Sequence, residues 1–343
     1  MSAVAAKAPI SPAAPISPAP PISPTAPISP TAPDPAKAPD PWRPLGPCTV
    51  DACVEAAVAV AGPARLAARL AAAFVVLLAG VPMSLVGRVR AVWRTELTMA
   101  WARLLLRTLG IRLEFTESGS DAESKACAVS GAGAAPGGGA PSETGSLVVA
   151  NHVSWLDPLV LAATVPSRLL AKREIGEWPV IRTLAAGSGV LFIDRERLSA
   201  LPSAVAAVAD ALRAGDTVVA FPEGTTWCGR GMGRFRPAVF QAAVDAGAPV
   251  RPAVLRYREG AATSTRACYV GDDSLLASIV RVAATRDLAV EVTLFASVRP
   301  ATATGIRQEA RAALARTAES RVRSNMLEPH HHEEAAATEA GSP

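Results

Sequence analysis

The sequence predicts an α/β fold: a mostly parallel sheet flanked by helices, preceded by an N-terminal membrane-associated helical pair and a disordered Pro-rich tail. Three observations carry that expectation. Beyond residue 110, short apolar runs alternate with stretches of helical spacing, the pattern of strands joined by crossover helices. Ahead of them, the run 70–87 contains no charge and has arginines on both sides. At the very start, Pro-Ile-Ser-Pro recurs with a period of six, at Pro9, Pro15, Pro21 and Pro27.

That repeat sets residues 1–49 apart. Proline at this density removes backbone donors and fixes φ, so the tract is expected to be extended, solvated and without a core. No charged start followed by an apolar stretch precedes it, so it does not read as a secretory signal. The other end, 328–343, is an Ala/Glu-rich tail with His330, His331 and His332, and is also expected to be disordered. No metal role is assigned to those histidines.

Residues 50–110 form the membrane-type segment. The apolar run 70–87 reaches the lower length limit for a spanning helix, but Gly80 and Pro82 interrupt it. With Arg65 and Arg69 before it and Arg88, Arg90 and Arg94 after it, charge asymmetry sets no orientation. A broken segment of this kind is expected to dip into one leaflet and return. Behind it, Trp93, Leu97, Trp101, Leu104, Leu105 and Leu109 recur at helical spacing beside Arg94, Arg103, Arg107 and Arg112. That composition suits an interfacial amphipathic helix, or one packed on the protein's own core; the residues alone leave both open.

The α/β part, 111–327, opens with the alternating strand 111–116 and contains a Gly/Ala/Ser insertion at 117–145. The insertion has no Gly-Lys-Ser or Gly-Lys-Thr, so it is not a phosphate-binding loop. Further strands are expected at 147–150, 168–171, 190–193, 217–221, 250–255, 267–270 and 290–295. Helices are expected at 178–186, 199–214, 238–245, 274–282 and 308–320. Half of the chain is hydrophobic, enough for a sizeable core. The net charge of +4 and pI near 9.0 are modest, and Lys and Arg are not interleaved with aromatics, which argues against nucleic acid. An anionic membrane surface fits the basic balance better. The five cysteines, at 48, 53, 127, 228 and 268, are odd in number and lack a Cys-x-x-Cys pair. Neither a disulfide framework nor a zinc site is expected from that spacing, and the setting reads as reducing.

The candidate site lies at the strand ends. Asn151-His152-Val153-Ser154-Trp155-Leu156-Asp157 leaves the strand 147–150 and enters a helix that Asp157 is placed to cap. Open α/β sheets build their sites at such carboxyl ends. An Asp that reaches a His fixes its tautomer and stabilises the imidazolium, which suits a general base acting on a hydroxyl. An N-cap Asp beside an unrelated surface His fits the seven residues equally well. Lys172 follows the next strand, Asp194-Arg195 the one after, and Phe221-Pro222-Glu223-Gly224-Thr225-Thr226 a fourth, so charged groups would converge on one crevice beside His152.

These blocks resemble the glycerolipid acyltransferases, the family of 1-acylglycerol-3-phosphate O-acyltransferases. His-Val-Ser-Trp-Leu-Asp is similar to its H-x4-D block, Gly-Val-Leu-Phe-Ile-Asp-Arg (189–195) to its second, Phe-Pro-Glu-Gly-Thr (221–225) to its third and Val-Arg-Pro-Ala-Val-Leu (250–255) to its fourth. All four occur in the family's order, and the apolar and amphipathic helices resemble its membrane-dipping pair. The resemblance implies a membrane-associated O-acyltransferase with its catalytic domain on the cytoplasmic face. His152, held by Asp157, would deprotonate a lysolipid hydroxyl that attacks acyl-CoA or acyl-carrier protein directly. It needs no cofactor and no metal. Lys172, Arg195, Glu223, Gly224 and Thr225 would line the acceptor's head-group site. The first choice of acceptor is 1-acylglycerol-3-phosphate, which gives phosphatidic acid; another lysolipid such as lyso-ornithine lipid is the alternative. A thioesterase using the same His/Asp pair on water is a further one, and a purely structural membrane protein would need neither residue. The chain has no Gly-x-Ser-x-Gly elbow, and Ser154 is set aside as a nucleophile. One departure bears on the acceptor: the family's third block continues with arginine, where this chain has Thr226. Arg230, Arg234 or Arg236 would have to compensate if the acceptor carries phosphate.

Overall fold

The computed structural model describes residues 46–89, 91–118, 145–172, 179–193, 198–300 and 307–327. The Pro-Ile-Ser-Pro repeats, nearly all of the 117–145 insertion, Arg195 and the C-terminal tail lie outside them. The first regular element is a single turn, α1 (Val50–Cys53), where the Thr49 hydroxyl accepts the Ala52 N–H at 3.3 Å. Two long helices follow, α2 (Pro63–Val89) and α3 (Ala91–Thr108). Pro63 starts α2 at no hydrogen-bonding cost, because the first N–H groups of a helix have no partner anyway.

The sequence anticipated a break at Gly80 and Pro82, but α2 runs through both as one helix. Gly80 is there for contact. A Cβ at this position would lie 2.6 Å from the Trp101 indole nitrogen and 2.7 Å from Leu184, so glycine is what lets α2 approach both. The Trp101 Nε1–H donates to the Val76 carbonyl at 2.8 Å, fixing α2 and α3 as an antiparallel hairpin. Of the two readings left open for α3, its buried face supports packing on the protein's own core. Met99, Ala102, Leu105, Leu106 and Leu109 are buried in the protein's own core, leaving Trp93 and Leu104 as the exposed large apolar side chains among the described residues of this helix. Two of the arginines on these helices bond to the protein itself. Arg69 Nη1 donates to the Ala283 and Thr285 carbonyls at 2.7 and 2.9 Å, and Arg103 Nε donates to the Ala163 carbonyl at 2.8 Å. Each thereby satisfies carbonyls that a helix end leaves without partners.

The remaining elements are β1 (Arg112–Ser118), β2 (Leu147–Ala150), α4 (Asp157–Thr164), β3 (Arg168–Lys172), α5 (Pro179–Ser188), β4 (Leu191–Ile193), α6 (Leu201–Arg213), β5 (Val218–Ala220), α7 (Phe240–Ala246), β6 (Val250–Glu259), β7 (Ala262–Thr263), α8 (Leu275–Ala284), β8 (Leu288–Phe295) and α9 (Arg307–Leu327). The strands form one eight-stranded sheet in the order β1-β8-β6-β2-β5-β3-β4, with β7 hairpinned onto β6. From β6 to β4 all pairs are parallel; β8 runs antiparallel to β6 and parallel to the edge strand β1. The anticipated mostly parallel α/β sheet is therefore present.

Period-two alternation along the strands makes two cores. Val148, Ala150, Val219, Ala253, Leu255 and Tyr257 face the layer of α3, α4 and α8. Leu147, Val149, Val218, Ala220, Val250 and Val254 face α6, α7 and α9. A strand sandwiched between helix layers carries apolar residues on both faces, which is why β2 reads as the uninterrupted run Leu-Val-Val-Ala and is fully buried.

One expected strand is absent. Residues 267–270 are a buried loop, and their polar backbone is met without strand pairing. Arg281 donates to the Arg266 and Cys268 carbonyls at 3.0 and 2.7 Å, and the Tyr269 N–H donates to the Val153 carbonyl at 3.0 Å. A buried guanidinium takes over the hydrogen bonding that an apolar run would otherwise seek in a sheet.

Candidate active site

The site forms where the chain leaves β2. The Asn151 side chain donates to the Leu255 carbonyl at 2.9 Å and accepts the Leu255 N–H at 2.8 Å, extending the β2–β6 pairing past the strand's end. The next five residues wrap around one carboxylate. Asp157 is fully buried, and its Oδ2 accepts the Val153 N–H at 2.6 Å, the Ser154 N–H at 2.8 Å and a bond from His152 Nδ1 at 2.8 Å. Its Oδ1 accepts the Tyr257 hydroxyl at 2.7 Å. Burying an isolated carboxylate is costly, and four donors are what make it tolerable here. The anticipated N-cap role is not what Asp157 does: it is the first residue of α4 and bonds backward to the loop, not forward to the helix.

That geometry sets the histidine's tautomer. An ionised carboxylate can only accept, so His152 Nδ1 carries the proton and Nε2 keeps its lone pair. The imidazole stacks on Phe221 with ring centroids 4.3 Å apart and stays 20% exposed. Burial, with the Asp157 charge and its hydrogen bond adding to it, pushes the Tyr257 hydroxyl well above its usual range, so it stays protonated and donates. Ser154 is fully buried and its hydroxyl accepts the Leu156 N–H at 3.2 Å, so it is not presented to a substrate.

The loop after β5 supports the His152 backbone. Phe221 to Gly224 make a tight turn, closed by the Gly224 N–H on the Phe221 carbonyl at 3.2 Å, with Gly224 at φ 78°, where a side chain would strain. Glu223 is 3% exposed, and its two oxygens accept the His152 N–H at 2.7 Å and the Gly233 N–H at 2.5 Å. Burial pushes its carboxyl up to about 8; the two N–H bonds oppose that rise and the neighbouring Asp157 charge adds to it. Trp227 N–H donates to the His152 carbonyl at 2.8 Å, so both polar groups of the His152 backbone are held by this loop. Thr225 is half-buried on the same turn.

The structure therefore brings together His152, Asp157, Glu223, Gly224 and Thr225. Lys172 ends β3 in register with Ile193 at the end of β4, which puts its backbone at the same end of the sheet; its side chain, like Arg195, lies outside the described residues. Thr226 turns its hydroxyl inward as a donor to the Tyr269 carbonyl. Of the three loop arginines, Arg230 pairs with Glu55, whereas Arg234 and Arg236 are exposed, and the Arg236 N–H bonds the Pro222 carbonyl at 3.0 Å. A polar cavity of about 340 Å³ lined by Arg94, Thr98, Arg168 and Asp216 among others lies where β3 and β5 begin, at the other end of those strands from His152.

Residues 138–256 match the family model described as Acyltransferase. The 1-acyl-sn-glycerol-3-phosphate acyltransferase of Neisseria gonorrhoeae is 37% identical over 148 residues, 43% of this chain and 58% of that protein's own length. The lyso-ornithine lipid O-acyltransferase of Pseudomonas aeruginosa is 34% identical over 186 residues, 52% of this chain and 66% of its own. The crystal structure of the 1-acyl-sn-glycerophosphate (LPA) acyltransferase PlsC of Thermotoga maritima aligns with a TM-score of 0.49 at 17% identity, over 75% of this chain and 94% of that one. Within the matched residues, the sequence did not reveal Asn151 and Phe221 as supports of His152. Nor did it reveal Tyr257, one residue beyond the matched span. The available signal was the phase of β6: Tyr257 continues the buried face of Ala253 and Leu255, and a tyrosine there needs a partner for its hydroxyl.

Proposed function

We propose that the chain is a membrane-associated O-acyltransferase that moves a fatty acyl group from acyl-CoA or acyl-carrier protein to the hydroxyl of a lysolipid. The observation that carries this reading is the His152 Nδ1 to Asp157 Oδ2 bond of 2.8 Å, which leaves Nε2 free to act as a base on a partly exposed ring. Nε2 takes the proton of the acceptor hydroxyl as its oxygen attacks the thioester carbonyl; the new C–O bond forms, the C–S bond breaks, and the proton passes from the imidazolium to the departing thiolate. Asp157 keeps its charge throughout and stabilises the imidazolium. Acyl transfer needs no acyl-enzyme here, and the burial of Ser154 is consistent with that.

Lys172, Arg195, Gly224 and Thr225 stand at the acceptor's side of this reading, and Glu223 acts through the backbone of His152. The acceptor's head group is the less constrained half. Arg234 and Arg236 on the Glu223 loop favour 1-acylglycerol-3-phosphate. The inward-turned Thr226, in place of an arginine, favours an acceptor without phosphate, such as lyso-ornithine lipid.

Membrane attachment rests on α2. Its stretch Pro63–Val86 has a mean hydropathy of 2.0, and Phe74 and Val75 are 61% and 63% exposed, with Leu78, Leu85 and Val86 beside them. An apolar strip of that kind on one helix is a surface for lipid. The opposite side of α2, through Ala73, Gly80 and Ser84, is buried against the domain, which supports insertion from one side. The proposed donors are cytoplasmic thioesters, which puts the domain on that face.

The test is incubation of the full chain, in lipid micelles, with labelled acyl-CoA or acyl-carrier protein and each of the two lysolipids. The expected result is label in the diacyl product and little thioester loss without an acceptor. Donor cleavage that ignores the acceptor would mean a thioesterase, and no turnover with any donor would remove the enzymatic reading.

A further inference from the structure

Three of the five cysteines, far apart in sequence, meet behind the His152 loop, and a fourth lies on the loop that neighbours them. Cys48 precedes α1 and Cys53 ends it; Cys228 follows Trp227; Cys268 lies on the buried loop between β7 and α8. The sulfurs of Cys48, Cys53 and Cys228 all lie within 4.8 Å of one another, and Cys48 and Cys228 are buried. Cys268, fully buried, lies on the loop that touches the segments of both Cys228 and Cys53: the Thr226 hydroxyl donates to the Tyr269 carbonyl, and the Glu55 N–H to the Thr265 hydroxyl at 3.0 Å. The expectation of no thiol cluster came from spacing along the chain; the fold supplies the proximity that the spacing lacks.

Buried cysteines often serve as small apolar residues, but those are not selected to point sulfur at sulfur. The group offers soft thiols and no carboxylate, the donor set of zinc-class ions and not of magnesium or calcium. Tetrahedral zinc, with bonds of about 2.3 Å, needs sulfurs roughly 3.8 Å apart, within reach of small side-chain rotations from the present spacing.

We propose that Cys48, Cys53 and Cys228, with Cys268 as the fourth sulfur, bind one zinc-class metal ion as a structural staple of the acyltransferase domain. Each thiol releases its proton to solvent as its metal–sulfur bond forms. The ion would tie three segments together, two of which hold the His152 loop directly: Trp227 N–H bonds the His152 carbonyl and Tyr269 N–H bonds the Val153 carbonyl. The third, residues 46–60, is already joined to the others by the Glu55 N–H on the Thr265 hydroxyl at 3.0 Å and the Val58 N–H on Glu259 at 2.9 Å. The site therefore positions the catalytic loop without touching substrate.

The test begins with elemental analysis of the full chain purified in micelles under reductant. Chelator-stripped protein is then titrated with Co²⁺, and free thiols are trapped by alkylation before mass analysis. The expected results are one zinc per chain and a Co²⁺ complex with tetrahedral visible bands and near-ultraviolet thiolate-to-cobalt charge transfer. Cys228→Ser is expected to weaken Co²⁺ binding by at least about tenfold, a loss that even outer partners of a metal can cause, while Cys127→Ser leaves it unchanged. If Cys228→Ser does not fold, the cobalt spectrum of the unsubstituted chain still decides. Metal-free protein with all four thiols trapped free and no charge-transfer band would overturn the proposal. So would a disulfide joining two of the four.

Discussion

Asp157 and Glu223 are both buried carboxyl groups, and they are handled in opposite ways. Asp157 has four donors, including the Tyr257 hydroxyl, and each stabilises its charge. Glu223 has two backbone N–H groups, which its desolvation outweighs, and its carboxyl is pushed up to about 8. A group whose folded pKa exceeds its unfolded value holds its proton more tightly in the folded state. Its contribution to stability is fully present below about 4.5 and is lost as pH rises to about 8. Glu223→Gln, which cannot titrate, is expected to flatten this window by up to about 1.4 kcal/mol per pH unit, the value for one proton. Denaturant melts of both proteins between pH 5 and 8 measure the difference; parallel slopes would show that Glu223 holds no extra proton. At this scale the His152–Asp157 pair was legible because both ends lie on one short loop. Asn151 and Tyr257 were not, since their partners exist only once β6 lies beside β2, and a single tyrosine on an apolar strand looks like core.

Helical periodicity shows that a helix has an apolar face but not which medium covers it. For α3 that medium is the protein: Met99, Ala102, Leu105, Leu106 and Leu109 fill the core. For α2 the apolar residues divide, with Ala73 and Gly80 turned inward and Phe74, Val75, Leu78 and Leu85 outward. Two of the arginines read as lipid-facing also have protein partners, because Arg69 and Arg103 donate to helix-end carbonyls. Phe74→Ser with Leu78→Ser removes outward side chains only. Burying each in lipid is worth about 1.5–3 kcal/mol, so vesicle binding is expected to weaken at least tenfold while the melting temperature holds. Sedimentation with anionic vesicles measures it, and unchanged binding would show that this face of α2 is not the attachment surface.

Across the whole molecule, the strand order explains why the chemistry gathers where it does. β2 is central, with β5 on one side and β6 on the other, so the loops leaving β2 and β5 open side by side at one end of the sheet. The His152 loop and the Glu223 loop are those two, and the latter holds both polar groups of the His152 backbone. Alternating strands and helices foretold this layered sheet, and the first and third blocks in sequence are the two loops that the sheet brings side by side. The order of strands was not legible, because parallel neighbours are set by crossovers longer than any local pattern; nor was the meeting of Cys48, Cys53 and Cys228. Acyl transfer by His152→Ala, assayed beside the unsubstituted chain, tests the central claim most directly. Asp157 keeps its bonds to Val153, Ser154 and Tyr257 in that variant, so the loop is expected to remain folded. Loss of the base is expected to lower turnover by about 10²–10⁴-fold with the melting temperature unchanged, whereas turnover within a few-fold of the unsubstituted chain would contradict His152 as the general base.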